Sequence, residues 1–174
     1  MPALRKGDYL IIDFGHNDNN PLNTGLARGT LPGIGHESKR MVIERDGSTE
    51  ELFTYGHYMR IYIRQAKAKG VEVILLSHTP ANQWENGKMK RCTQTYRKWT
   101  KELAEQENVN FVDLNDLTAR KFDLIGQEDA KRYYKDLVHT SKEGAIMNAE
   151  SVIEGIGQLD ECNLKSFLNS YYSE

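Results

Sequence analysis

The chain has 174 residues, 39% of them hydrophobic and 28% charged, and a formal net charge of −2. That length supports one domain, residues 1–174, with a real core, and the composition is that of an ordinary globular protein. The charge gives no electrostatic reason to expect nucleic acid or an anionic membrane as partner, and no apolar run is long enough to span a bilayer.

The first apolar run, Tyr9 to Phe14, is short and rich in β-branched and aromatic residues, which predicts a buried parallel strand. From Asn19 to about Glu50 the chain is rich in Gly, Pro, Asn and Thr with no sustained period, so a long binding or lid loop is expected. Tyr55, Met59, Tyr62 and Ala66 then recur at helical spacing, and Gly70 stops that helix. Val71 to Leu76 reads as a second strand, followed by a loop from Ser77 to Lys88. Cys92, Tyr96, Trp99 and Leu103 predict a second helix, with Cys92 as a buried thiol on its apolar stripe. Pairing of Cys92 with Cys162 is left open. Asn110 to Leu114 reads as a third strand, and a short helix is expected around Gln127 to Tyr134. After His139 a long helix capped by Ser141 carries Ala145, Ala149, Val152 and Ile156 on one face. Leu164, Phe167, Leu168 and Tyr171 predict a last short helix. Strands alternating with helices mean an α/β fold with a parallel sheet.

In open α/β sheets ligands bind beyond the carboxyl ends of the strands. Three polar clusters fall there: Gly15-His16-Asn17-Asp18, Ser77-His78-Thr79-Pro80, and Asp136-Leu137-Val138-His139. An Asp and a His three apart suit a turn in which the carboxylate accepts the Nδ1 proton and leaves Nε2 as general base. Asn17 at a strand end is placed to donate its amide to a developing oxyanion. An Asp-x-x-His pair alone is equally a capping turn with an exposed histidine. Five histidines invite a metal reading, but no HExxH or other ligand spacing is present, so no metal or cofactor is expected. Ser141 reads as a helix cap and Ser77 as a strand-end hydrogen-bonding residue, so neither is taken as a nucleophile. Tyr58 and Trp99 lie on helical stripes and read as core. Trp84, in a Gly/Asn-rich loop, is a candidate ligand-contacting aromatic. Arg28, in the long loop, is a candidate binding residue weighed against a solvated surface charge.

Taken together, Gly-His-Asn-Asp after a strand and Asp-x-x-His before the final helix resemble the SGNH hydrolase superfamily. Gly29-Thr30-Leu31-Pro32-Gly33 with Glu37, Thr54-Tyr55-Gly56, Thr79-Pro80 with Asn82 and Trp84, Asn86-Gly87-Lys88, and His139-Thr140-Ser141 resemble the rhamnogalacturonan acetylesterases within it. The likeness runs from about Gly7 to the C-terminal helix. Leu137, where a polar residue is usual, and His57, where tryptophan is usual, depart from it.

The resemblance implies a flavodoxin-like parallel sheet with flanking helices, and a carbohydrate acetylesterase acting on acetylated pectic oligo- or polysaccharide. It makes Asp136 the orienting acid, His139 the base and Asn17 an oxyanion donor, with His16, Trp84 and Arg28 toward substrate. The family's Gly-Asp-Ser block and its oxyanion glycine lie upstream of the region matching Gly7. The sheet is therefore expected without its first strands, with Tyr9–Phe14 as an exposed edge open to self-association or another partner. The alternative is a catalytically inactive remnant or carbohydrate-binding module of the same fold. The resemblance implies a secreted or periplasmic protein, whereas Met-Pro-Ala-Leu-Arg-Lys-Gly-Asp at the start shows no apolar signal region.

Overall fold

The computed structural model describes residues 3–24 and 28–168. The elements are β1 (Tyr9–Asp13), β2 (Ser38–Val42), β3 (Thr49–Phe53), α1 (Tyr55–Lys67), β4 (Glu72–Leu76), β5 (Trp84–Glu85) and β6 (Lys88–Met89). They are followed by α2 (Tyr96–Glu107), β7 (Asn110–Val112), α3 (Leu114–Ile125), α4 (Gln127–Ala130), a 3₁₀ turn at Lys131–Tyr133, α5 (Lys142–Gln158) and a 3₁₀ turn at Asn163–Phe167.

The three predicted strands form one parallel sheet in the order β1-β4-β7, with Ile11 facing Ile74 and Leu75 facing Phe111. A parallel sheet must be covered on both faces, and alternation sorts its side chains between them. Ile12, Val73 and Leu75 pack with Tyr55, Met59, Ile63 and Ala66 of α1 and with Leu103 of α2. Ile74, Leu76 and Val112 pack on the other face with Leu117, Val152 and Ile156. Central β4 is therefore buried along almost its whole length. β1 lies at one edge, as expected, and leaves Ile11 41% and Phe14 46% exposed.

Several expectations need correcting. The 19–50 segment is not one irregular loop, because β2 pairs antiparallel with β3 around a turn at Gly47. The reason it escapes a periodicity search is that β2 is exposed on both faces, so nothing selects an apolar alternation. The loop after β4 likewise holds the two-residue ladder β5–β6. Its turn, Asn86-Gly87, has positive φ at both positions (51° and 75°), the signature of a type I′ hairpin. Cys92 precedes α2 rather than lying on its stripe, and Cys92 and Cys162 are both free thiols. The third strand stops at Val112, since Asp113 turns out as the N-cap of α3 and accepts from the Asp116 amide. That helix was not anticipated at all. On α1, Tyr62 is 41% exposed and Ile63 takes its place in the core.

On α5 the buried stripe is not Ala145 and Ala149, which face solvent, but Gly144, Ser151, Gly155 and Ile156. A Cβ at Gly155 would overlap Val112 Cγ1 of β7, so this helix lies closer to the sheet than a larger residue permits. Ser141 caps α5 as expected, accepting from Gly144 N at 3.2 Å. In the tail Leu164 and Leu168 pack against the second core while Phe167 is exposed; Tyr171 lies outside the described residues.

Candidate active site

The Asp136–His139 segment is a closed turn in which Lys135 N donates to His139 O at 2.7 Å. Asp136 Oδ1 accepts both the Val138 and the His139 backbone N–H, at 2.9 and 2.8 Å, while Oδ2 lies 2.7 Å from His139 Nδ1. A ring nitrogen this close to a carboxylate carries the proton, because two acceptors facing each other would repel. Nε2 is then the free acceptor. The His139 and Val138 amides and the imidazole hold the Asp136 carboxyl down at about 2, so it stays ionised beside the ring at neutral pH. Both side chains are largely exposed.

The turn is anchored to the loop that leaves β4. Tyr134, buried just before it, donates to Pro80 O at 2.8 Å, and Asn82 N donates to Leu137 O at 2.8 Å. That contact explains how Leu137 is tolerated: its backbone does the anchoring, while its side chain is exposed. Trp84 follows on the β5–β6 ladder. Its Nε1 donates to Asn82 Oδ1 at 2.9 Å, and the ring is partly buried against the cluster of Met89, Phe122 and Tyr134. Trp84 thus stands on the segment bonded to the Asp136–His139 turn.

The β1 end arrives from the other side. Gly15 has φ 140°, a conformation that residues with a side chain rarely adopt, and a Cβ there would sit tightly at 3.1 Å from Tyr96 Cβ and 3.4 Å from His78 Nδ1. His16 is hydrogen-bonded through Nε2 to Thr79 Oγ1 at 3.0 Å, and its ring meets the His78 ring edge-on with centroids 4.9 Å apart. Burial lowers the His16 pKa, and the charge on His139 lowers it further. Asn17 is exposed, and among the described residues no hydrogen bond engages its side-chain amide. Asp18 holds the loop from the other side of Asn17. It accepts from Thr30 Oγ1 at 3.3 Å and so ties the turn to the long loop, while burial raises its pKa.

Beneath the rim runs a partly buried polar network that sequence reading foresaw only at Ser77. Arg97 forks onto Asp113 (Nη2–Oδ2 2.6 Å, Nε–Oδ1 2.8 Å), and Ser77 Oγ donates to Asp113 Oδ1 at 3.0 Å while accepting from Asn115 N at 2.9 Å. Ser77 is fully buried and Ser141 is committed to its cap, so neither is free to attack. Burial pushes the Asp113 carboxyl up, but Arg97 and Ser77 outweigh it and leave a low pKa. The residue missed is His78, only 6% exposed, whose Nδ1 has no partner among the described residues and whose pKa burial drives down to about 4. A histidine two residues past a strand end was the available signal. Arg28, by contrast, is ion-paired with Glu50 at 2.8 Å, and no hydrogen bond or ion pair among the described residues brings it to the turn. His57 stacks on Phe53 with centroids 4.0 Å apart. Among the described residues no three His, Cys, Asp or Glu side chains are grouped to hold a metal ion, and no helix is long and apolar enough to cross a membrane.

Comparisons with known proteins agree with this architecture. The chain is 30% identical over 155 residues to the rhamnogalacturonan acetylesterase of Emericella nidulans, covering 88% of this chain and 62% of that one. It is 26% identical over 172 residues to rhamnogalacturonan acetylesterase RhgT of Bacillus subtilis, covering 90% and 63%. The crystal structure of YxiM from Bacillus subtilis superimposes with a TM-score of 0.66 at 27% identity, over 88% of this chain and 38% of that one. The chain therefore spans less than two-thirds of the length of these curated relatives. The sequence pattern of the GDSL-like Lipase/Acylhydrolase family matches residues 1–145, most of the 174, and the chain belongs to that family.

Proposed function

We propose that this chain carries the base side of a serine-esterase site that removes acetyl groups from a pectic, rhamnogalacturonan-type polysaccharide. The observation that carries the reading is the 2.7 Å bond between His139 Nδ1 and Asp136 Oδ2 on a turn anchored to the loop that leaves β4. In this reading His139 Nε2 takes the proton of a serine hydroxyl and returns it to the leaving alcohol, while Asp136 stabilises the imidazolium. Asn17 donates to the oxyanion, a contribution of roughly 2.7–4 kcal/mol to the transition state. Trp84 offers a sugar-stacking face next to the base, His16 lines the same rim, and Arg28, once released from Glu50, is the candidate for a uronate carboxylate.

The resemblance assigns the serine and a second oxyanion donor to blocks upstream of the region matching Gly7. A base and an oxyanion donor without a nucleophile retain only residual catalysis. The 174-residue chain is accordingly expected to turn over an aryl acetate very slowly. A longer polypeptide bearing an in-frame Gly-Asp-Ser block should be fast and lose activity in H139A. Fast, serine-inhibitor-sensitive hydrolysis by the 174-residue chain would overturn the reading, and an inactive longer form that still binds acetylated oligosaccharide would favour a binding module instead.

Two further expectations belong to the same reading. The family likeness supports the expectation of a secreted or periplasmic protein, which fractionation of the producing cell tests. The open β1 edge, with Ile11 and Phe14 exposed, is a pairing site for another strand. Light scattering should show association that I11K abolishes, and a stable monomer would count against it.

A further inference from the structure

The turn that carries His139 is the tip of a small antiparallel hairpin. Tyr134 bridges Thr140, and on either side of that bridge Ser141 N donates to Tyr133 O at 2.9 Å and Lys135 N donates to His139 O at 2.7 Å. Lys135 and His139 are therefore the next opposed pair, and side chains directly opposed across antiparallel strands leave the same face. Alternation sends the neighbouring position the other way: Tyr134 is buried and bonded to Pro80 O, whereas Lys135 and His139 are both exposed. In such a pair the Cα atoms lie about 5.5 Å apart, so the Lys135 stem is long enough to carry its ammonium to the ground in front of the imidazole.

The carboxylates of the hairpin and of the first turn of α5 are engaged elsewhere. Asp136 is turned onto His139 and two backbone amides, and Glu143 accepts from Ser141 Oγ at 2.9 Å. Among the cations, Lys131 is paired with Glu128 at 2.6 Å and Arg132 lies over the Tyr133 ring. Among the described residues no ion pair or side-chain hydrogen bond engages the ammonium of Lys135, or that of Lys142 at the start of α5. An unpaired cation on the face of a general base opposes the imidazolium that proton transfer creates. The same arrangement becomes favourable when the substrate itself brings an anion to that face.

We propose that Lys135 is a specificity-determining residue: its ammonium receives a carboxylate on the sugar presented to His139, so the site takes acetylated uronates ahead of neutral acetylated sugars. The inference rests on the reading of His139 as the base that faces substrate. It supplies a carboxylate contact on the base's own hairpin, which Arg28, ion-paired with Glu50 in the long loop, does not. A lysine suits the role, because a point charge with three donors on a flexible stem accepts a carboxylate from several directions.

The test needs no esterase activity. The isotope-labelled 174-residue chain is titrated at low ionic strength with a galacturonate trisaccharide and, separately, with the matching neutral galactose trisaccharide. Binding is read from the NMR shifts of the Lys135 and His139 backbone amides. The charged probe is expected to bind more tightly, with the gap closing as salt screens the pair. Lys135→Gln should weaken the charged probe about two- to fivefold and leave the neutral one unmoved, while Lys135→Arg keeps the preference. The Lys135 side chain is exposed, so both variants should keep the fold, which circular dichroism checks. Equal binding of the two probes by the parent, an unchanged preference in Lys135→Gln, or no shift at either amide overturns the proposal. A longer polypeptide that carries the Gly-Asp-Ser block and still fails to hydrolyse acetyl esters would remove the esterase reading. It would leave the trisaccharide comparison in place, so the two failures are distinguishable.

Discussion

Gly155 and Gly157 lie two residues apart on α5, yet the same substitution should move stability in opposite directions. A Cβ at Gly157 meets nothing within 4 Å. Replacing glycine by alanine there removes backbone freedom from the unfolded chain, a gain of roughly 0.5–1 kcal/mol near a helix end. A Cβ at Gly155 would overlap Val112 Cγ1 and come within 3.0 Å of Leu117 Cδ1. Val112 is 2% exposed and β-branched, on a strand paired with β4, so its methyl has no empty rotamer to enter. Overpacking of this kind costs roughly 1–3 kcal/mol, and the helix-propensity gain offsets only about 1 of it. The net expectation for G155A is a loss of about 1 kcal/mol. For a chain of this size each kcal/mol moves Tm by about 2–4 °C, so G157A should melt a little higher than the parent and G155A a few degrees lower. Because the propensity gain is common to both, the gap between the two variants isolates the overpacking cost. Chemical denaturation followed by far-UV circular dichroism, with m unchanged, is the assay. A G155A protein as stable as G157A would show that α5 does not lie close on β7 through this glycine.

His78 makes stability pH-dependent in a definite direction. Its pKa falls from 6.5 to about 4 on folding, so between those values the unfolded chain binds the extra proton and stability declines as pH drops. The full effect is on the order of 3 kcal/mol below about pH 4, and unfolding free energies measured at pH 7 and 4.5 should diverge less in H78F. Unchanged pH dependence in H78F would refute it. Asp136 acts over a lower window: its pKa is depressed from 3.8 to about 2, so its contribution is present above about pH 4 and is lost as pH falls through 2. D136N should flatten the acid limb in that window only, which a pH-melt comparison resolves. S141A should cost about 1 kcal/mol by uncapping α5 and leave hydrolysis by the longer polypeptide intact, whereas loss of turnover without loss of fold would reassign Ser141.

The parts of this protein that were legible from sequence are those whose signal is local. Tyr9 to Asp13, Glu72 to Leu76 and Asn110 to Val112 are apolar runs bounded by polar strand ends, and a sheet buried on both faces demands such runs. Asp136 and His139 are three residues apart, so one turn brings them together whatever the rest of the chain does. Ser141 caps a helix through an amide three residues away, again a local event. What tertiary structure alone decided is everything that depends on a partner distant in sequence. The β2 strand is exposed on both faces and exists because β3 supplies its hydrogen bonds, so its sequence carries no alternation to read. The buried face of α5 includes Gly155 because β7 comes so near and Gly144 because the Tyr133 carbonyl does, and a hydrophobicity pattern scores such residues as neutral. His78 became a special histidine only when Gly15 and His16, over sixty residues earlier, closed over it and left its Nδ1 without a partner. Local spacing writes itself into the chain as pattern, whereas close approach and desolvation are properties of pairs, and they appear only once the pair has met.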